Sequence, residues 1–384
     1  MSFDIHAIRA SEFPWTARGD MIYLNHAGTG PLPERTVNAL HHWNSNRAEP
    51  WRVPDHTAVF PALRRTRELC ATLIGATPGE IALVPNTSYG LSLAARSLPL
   101  RPGDVVVTHE REFPSIIYAW TAIGEERGLV LRHVPTRGGL ADEDALIRAL
   151  DAYDARAVVI SWVGFATGYR TDLARLGRAC RERGVYLVVD AMQGVGAAPL
   201  GVREAYVDVL ACGAQKWLLG PWGAGFVYVR DALIATMRPP VYSWLVGEKG
   251  ENYARLLDYD HTNFDDARRF EVMTLAAQDF IAMGHSIELI LESGPDAVAA
   301  HIRALSDRVV AWAADRRDVR LVTPSDPAKR AGIVSLVLPD AAAASKRLTD
   351  GHIAHSLREN AIRLSPHFYN TAEEIDAALQ GLTS

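Results

Sequence analysis

Between about Asp104 and Val229, short β-type runs alternate with helical stretches: DVVVTH, AVVISWV, VYLVVDA, VDVLACG and GFVYVR. That rhythm restricts the chain to an α/β sheet, and strands buried on both faces account for the near-continuous apolar runs. One intervening segment, LARLGRACRERG, carries apolar residues at helical spacing and ends at Gly184, a suitable helix cap. After Arg238 the sequence PPVYSWLVGEKGENYARLLDYDHTN is rich in turn formers and aromatics and reads as a connection. Helical periodicity returns in LAAQDFIAMGHSIELILESG and DAVAAHIRALSDRVVAWAADR, followed by the strand candidates VRLVTP and GIVSLVLP. A chain of 384 residues with this pattern predicts two domains, each able to bury a cofactor-sized site.

Forty Lys plus Arg against 45 Asp plus Glu give a net charge of −5, which supplies no general attraction to nucleic acid or to membranes. No window offers the roughly 20 apolar residues of a membrane span, and the start MSFDIHAIRASEFPW lacks a secretory core, so a cytoplasmic protein with a small-molecule substrate is expected. Cys70, Cys180 and Cys212 are odd in number and lack metal-ligand spacing; reduced thiols and no metal site are expected. The tryptophans at 43, 51, 120, 217, 222, 244 and 312 read as packing residues.

Lysine is scarce: only Lys216, Lys249, Lys329 and Lys346 occur. Lys216 alone follows an apolar strand run and precedes a Gly-Pro-Trp-Gly turn, the setting in which an amine loses its proton easily enough to form an imine. A surface lysine in a loop is the plain alternative. Asp190 closes the strand VYLVVD, where a carboxylate needs a positive partner or several donors; a pyridinium nitrogen would serve, as would a metal or a helix cap. In VPNTSYGLSLAARSL, Thr87 and Ser88 stand at a helix start, an anion site suited to a phosphate ester or simply an N-cap.

Together LVVDAMQGVGAAPL and LACGAQKWLLGPWGAGFVYV resemble the Asp-x-x-Gln and Lys signatures of the class V aminotransferase family, within the fold-type I pyridoxal-phosphate enzymes. YLNHAGTGPLP, EFPSIIYAW, RRFEVMT and IRLSPHFYNT resemble it too, over nearly the whole chain. The resemblance implies pyridoxal 5′-phosphate held as a Schiff base on Lys216. Asp190 would pair with the pyridine nitrogen, Gln193 would donate to the phenolic oxygen, and Thr87 and Ser88 would grip the phosphate. Phe113 falls where many relatives place a histidine over the ring, and Trp162 where many have an asparagine close to the cofactor. His26 would border the site as a candidate proton carrier, with a histidine held by backbone groups as the alternative. Thr274 would reach the phosphate of the neighbouring subunit, implying a homodimer with shared active sites. Arg358 would bind the substrate carboxylate, with Arg363 its competitor.

The implied architecture is a large domain with a mainly parallel sheet over residues 21–254 and a smaller C-terminal α/β domain over 255–384, joined by 1–20. The implied chemistry acts on an amino acid through an external aldimine and a quinonoid. Amino-group transfer is the first expectation; C–S lyase or β-elimination chemistry on a cysteine-like amino acid, or epimerisation, is the alternative. No cysteine follows Cys212, which argues against a persulfide-forming desulfurase. A non-catalytic binding module that keeps the fold is disfavoured by the retained Lys216, Asp190 and Gln193. A nicotinamide-dependent dehydrogenase lacks its Gly-x-Gly-x-x-Gly fingerprint.

Overall fold

In the computed structural model the described residues are 4–52, 59–245, 247, 253–259, 262–272 and 274–383. Lys249 and part of the expected connection, residues 246, 248–252, 260 and 261, lie outside them. A seven-stranded sheet forms the centre, in the spatial order Ile81–Val84, Gly225–Val229, Val209–Gly213, Tyr186–Asp190, Ala155–Ser161, Val105–His109 and Val130–Val134. Gly225–Val229 runs antiparallel to both its neighbours, and every other pairing is parallel. All five strand runs read from the sequence are present. Ile81–Val84 is too short to stand out by pattern, and Val130–Val134, at the edge, exposes Arg132 and His133 and so lacks the apolar signature of a central strand.

Successive residues of the central strands feed two different cores. Leu187, Val189, Leu210 and Cys212 belong to one apolar cluster, whereas Val188, Val209 and Ala211 belong to another. Since side chains alternate across a strand, both faces of the sheet are covered, which is why these runs contain no polar alternation. The helix Leu173–Glu182 is followed by Gly184 at φ 66°, the left-handed residue expected there.

A second, antiparallel sheet has the order Ser356–Arg358, Ala361–Leu364, Val334–Val337 and Arg320–Leu321. Its core includes Leu305, Leu336, Leu348, Ile362 and Leu379 from this sheet and from the helices Pro295–Ala314, Ala341–Asp350 and Ala372–Thr383, together with Leu24 from the N-terminal segment. Next to Leu24, Ile22–Tyr23 pairs in parallel with Ile353–Ala354, Phe13 stacks on Tyr369 at 4.1 Å, and Arg9 meets Glu374 at 2.8 Å. The N-terminal segment is therefore packed with the C-terminal part of the chain. Helix Ala277–Ser293, by contrast, contributes Phe280, Met283, Ile287 and Ile290 to the main core. On this packing we propose a boundary near Gly294 in place of 254/255.

Trp120 and Trp217 are fully buried, as packing residues should be, but Trp51, Trp222 and Trp244 are exposed. Fold and site meet at Gly90, in the first turns of helix Thr87–Ser97. A Cβ at Gly90 would lie 2.5 Å from Val227 Cγ2 and 2.7 Å from Ala211 Cβ, so only glycine lets the helix start settle onto the sheet. Gly90→Val is expected to lower unfolding free energy by about 1–3 kcal/mol through overpacking, measured by denaturant titration of the apo-protein.

Candidate active site

Lys216 follows the strand Val209–Gly213 on a turn held from both sides. Gly220 N–H donates to the Ala214 carbonyl at 2.9 Å and Leu219 N–H to that of Lys216 at 3.2 Å, with Leu219 left-handed at φ 55°. A leucine there is strained, and the surrounding bonds hold it. From the N-terminal segment, Gly30 N–H and the Thr29 hydroxyl both donate to the Gln215 carbonyl, at 2.8 and 3.0 Å. The Trp217 carbonyl accepts from His367 Nε2 at 2.9 Å, and its indole N–H donates to Gln193 Oε1 at 2.8 Å.

The Lys216 side chain enters a cavity of about 290 Å³ also lined by Asn86, Thr87, Ser88, Phe113, Asp190 and Gln193. Burial pulls the amine down to about 8, against the opposing attraction of Asp190; Arg363 and Arg358 lower it further. Asp190 is pushed up to about 6, first by burial and then by the charge of Glu112, with the Met192 N–H bond and Lys216 acting the other way. Among the described residues no cation lies within ion-pair distance of Asp190. Lys216 Nζ lies 5.6 Å from the centroid of Phe113, whose ring meets Phe165 edge-on at 5.2 Å.

Gln193 is fixed by chemistry that admits one orientation: the indole can only donate to Oε1, and the Ala27 carbonyl can only accept from Nε2, at 3.1 Å. One amide N–H is left for the cavity. Asn86 is the N-cap of helix Thr87–Ser97, accepting from Tyr89 N–H, so Thr87 and Ser88 occupy the first turn with backbone N–H groups that have no intrahelical acceptor. The Thr87 hydroxyl accepts from Gly213 N–H at 2.9 Å, and the Ser88 hydroxyl pairs with Ser115 at 2.8 Å. A helix start of this kind is an anion site.

Five expected site residues, Trp162, His26, Arg358, Arg363 and Thr274, are not among those that line the cavity. Trp162 does not line the cavity; it is buried against Gly194, where a Cβ would collide with the indole, because the alternation of strand Ala155–Ser161 turns Ser161 and Val163 toward the cavity instead. His26 is fully buried outside it, with Nδ1 on the Ser365 carbonyl at 2.8 Å and Nε2 on the Tyr369 hydroxyl at 2.9 Å. Nδ1 must therefore carry the proton and Tyr369 must donate to Nε2, leaving no nitrogen to move protons at the site. Arg358 is exposed and bonds only the carbonyl of its neighbour Leu357, whereas Arg363 is buried, donating to Ser356 Oγ at 3.0 Å and the Phe165 carbonyl at 2.8 Å. Thr274 is exposed and away from the cavity lining of its own chain.

Ser161, Ser115 and Glu112 were missed in the sequence. The available signal was positional: Ser161 ends the apolar run AVVIS as Asp190 ends VYLVVD, and the parallel register sets the two side by side.

The chain belongs to the class-V aminotransferase family, whose model matches residues 22–378. It is 30% identical to isopenicillin N epimerase of Streptomyces clavuligerus, over 96% of this chain and 98% of that one. It is 27% identical to a protein named as a probable cysteine desulfurase in Methanothermobacter thermautotrophicus, over 93% and 92% of the two chains. A solved structure of C-DES with glycine covalently linked to its pyridoxal-phosphate cofactor superposes with a TM-score of 0.87 at 23% identity, covering 97% and 98%. The fold is that of the fold-type I pyridoxal-phosphate enzymes, and the cofactor of the family is pyridoxal 5′-phosphate. The cavity fits it: a buried amine with weakened proton affinity, a buried carboxylate lacking a cation, an aromatic face and a helix-start anion site.

His367 also shapes how the site responds to acid. Its Nε2–H donates to Trp217 and its Nδ1 accepts from Phe368 N–H, and burial lowers it to about 4; His26 is lowered too, by burial and by His367. An unfolded histidine takes its proton near 6.5, so the stability these rings contribute is complete above that pH and is lost as pH falls toward 4. The unfolding free energy of the apo-protein should fall over that window by up to about 1.4 kcal/mol per pH unit for each ring, read by denaturant titration at each pH, and His367→Gln should flatten the slope.

Proposed function

We propose that the protein is a pyridoxal-phosphate enzyme acting on an amino acid, with Lys216 as the imine lysine and the base that removes the α-proton. The observation that carries this reading is that partly buried Lys216 and buried Asp190 line one cavity without an ion pair between them. The cofactor, when bound, supplies an electron sink for the pair released at the substrate α-carbon. Lys216, held near 8, can give up and regain a proton close to neutral pH. Asp190 would hold the ring nitrogen, Gln193 would donate its free N–H to the phenolic oxygen, Phe113 would cover the ring, and the Thr87–Ser88 turn would take the phosphate.

Arg363 is the substrate-carboxylate residue of this reading. Its guanidinium is buried without a carboxylate partner among the described residues, a state that an incoming carboxylate would relieve. Amino-group transfer is the reaction we place first, in keeping with the family. Epimerisation is the second reading, favoured by the match to isopenicillin N epimerase over nearly the whole of both chains. Persulfide formation is no part of the proposal, because Cys70, Cys180 and Cys212 are all buried; free thiols also suit a reducing cytoplasm.

We also propose a homodimer. Tyr242, Leu256, Leu257 and Tyr259 are exposed apolar side chains of the kind an interface covers, and exposed Thr274 would complete a partner's phosphate site.

Borohydride reduction of the holoenzyme followed by peptide mapping should place a pyridoxyl group on Lys216; its absence there overturns the reading. Arg363→Gln should raise KM for the amino acid roughly ten- to hundredfold with cofactor uptake unchanged, the loss of one charge-assisted pair. Hybrids of Lys216→Ala and Thr274→Ala subunits should be more active than either parent, read after mixing and reassembly.

A further inference from the structure

Glu112 immediately precedes Phe113 and is almost wholly buried, its side chain 1% exposed. Three donors converge on it. Oε1 accepts from Ser161 N–H at 2.9 Å and from His109 Nε2 at 2.8 Å, and Oε2 accepts from the Ser161 hydroxyl at 2.5 Å. His109 Nδ1 accepts from Arg111 N–H at 3.3 Å, so it is Nε2–H that faces Glu112 as a donor. No Lys or Arg lies within ion-pair distance of Glu112 among the described residues. Three donors and no acceptor facing a carboxyl is the arrangement that an ionised carboxylate requires.

Ser161 links this group to the cofactor site. It lines the cavity, and its strand pairs in register with that of Asp190, Ser161 opposite Asp190. Because its single hydroxyl proton is committed to Glu112, the Ser161 oxygen can turn only lone pairs toward the cavity. Asp190 thus lines the cavity while Glu112 lies behind the neighbouring Ser161, and among the described residues the only lysine lining it is the one that the cofactor's aldehyde would consume. A cation in the cavity stabilises buried anions of this kind further, and the ring nitrogen of the cofactor is one when protonated.

We propose that Glu112 is a positioning residue of the cofactor site: it fixes Ser161 as an acceptor and adds negative potential behind Asp190, so that the cofactor's ring nitrogen keeps its proton. This rests on the assignment of Asp190 to that nitrogen.

The test compares apo-protein affinity for pyridoxal 5′-phosphate with that for its 1-deaza analogue, which has carbon in place of the ring nitrogen, by absorbance titration. Wild type should prefer the natural cofactor, and Asp190→Asn should lose that preference. Glu112→Gln, which keeps the shape and removes the charge, should weaken the natural cofactor about tenfold, one pK unit's worth, and leave the analogue unchanged; Glu112→Asp should restore part of the difference. Equal weakening of both ligands would mean structural support only and would overturn the proposal, as would no change in either. A wild type without any preference would sink the Asp190 assignment and this proposal together, whereas a preference intact in Glu112→Gln would sink this one alone. Should Glu112→Gln fail to fold, Ser161→Ala must show a smaller loss confined to the natural cofactor.

Discussion

Two opposite charges, the Lys216 amine and the Asp190 carboxylate, share a buried cavity without touching, and the rest of the molecule is arranged to keep them so. Joined in an ion pair they would satisfy each other and leave nothing for a ligand. Held apart, each is destabilised by burial, the amine toward its neutral form and the carboxyl toward its protonated one. A ligand with an aldehyde at one point and a cationic nitrogen at another relieves both. The sheet makes the separation rigid, since Asp190 ends one strand and Lys216 follows its neighbour.

Rigidity at Lys216 comes from three distant parts of the chain. Thr29 and Gly30 bind the Gln215 carbonyl, His367 binds the Trp217 carbonyl, and Gln193 binds the Trp217 indole while reaching Ala27 with its other end. The N-terminal segment and the Ser365–Asn370 turn thereby bear on the active-site lysine, although neither supplies a group that lines the cavity. His26 belongs to this scaffold. Its two nitrogens are spent on Ser365 and Tyr369, so the histidine that looked like a proton carrier is a joint between the ends of the chain.

The second tier of the site is acidic. Asp190 lines the cavity and Glu112 lies behind Ser161, taking its bonds from Ser161 and His109. Such a pair favours positive charge in the cavity, whereas Arg363, from the C-terminal sheet, carries a buried guanidinium suited to an anion.

Lys216, Asp190, Gln193 and the Thr87–Ser88 turn were legible in the sequence because each terminates or follows an apolar run, and a polar group at the edge of a buried strand must have a purpose or a partner. The five central strands were legible for the same reason: burial on both faces writes a continuous apolar signal. Trp162 and His26 misled, because linear order does not say which face of a strand a side chain takes or which remote carbonyl will satisfy a ring nitrogen. The choice between Arg358 and Arg363 was also hidden, since register across a two-residue hairpin turn and the carbonyl of Phe165 decide which guanidinium is buried. Sequence alone determined the α/β class and singled out Lys216, Asp190, Gln193, Thr87, Ser88 and Phe113 as candidates, which follow from local period, local polarity and family resemblance. Tertiary structure decided which of them face the cavity, and that Glu112 and Ser161 join them, because those facts depend on contacts between segments far apart along the chain.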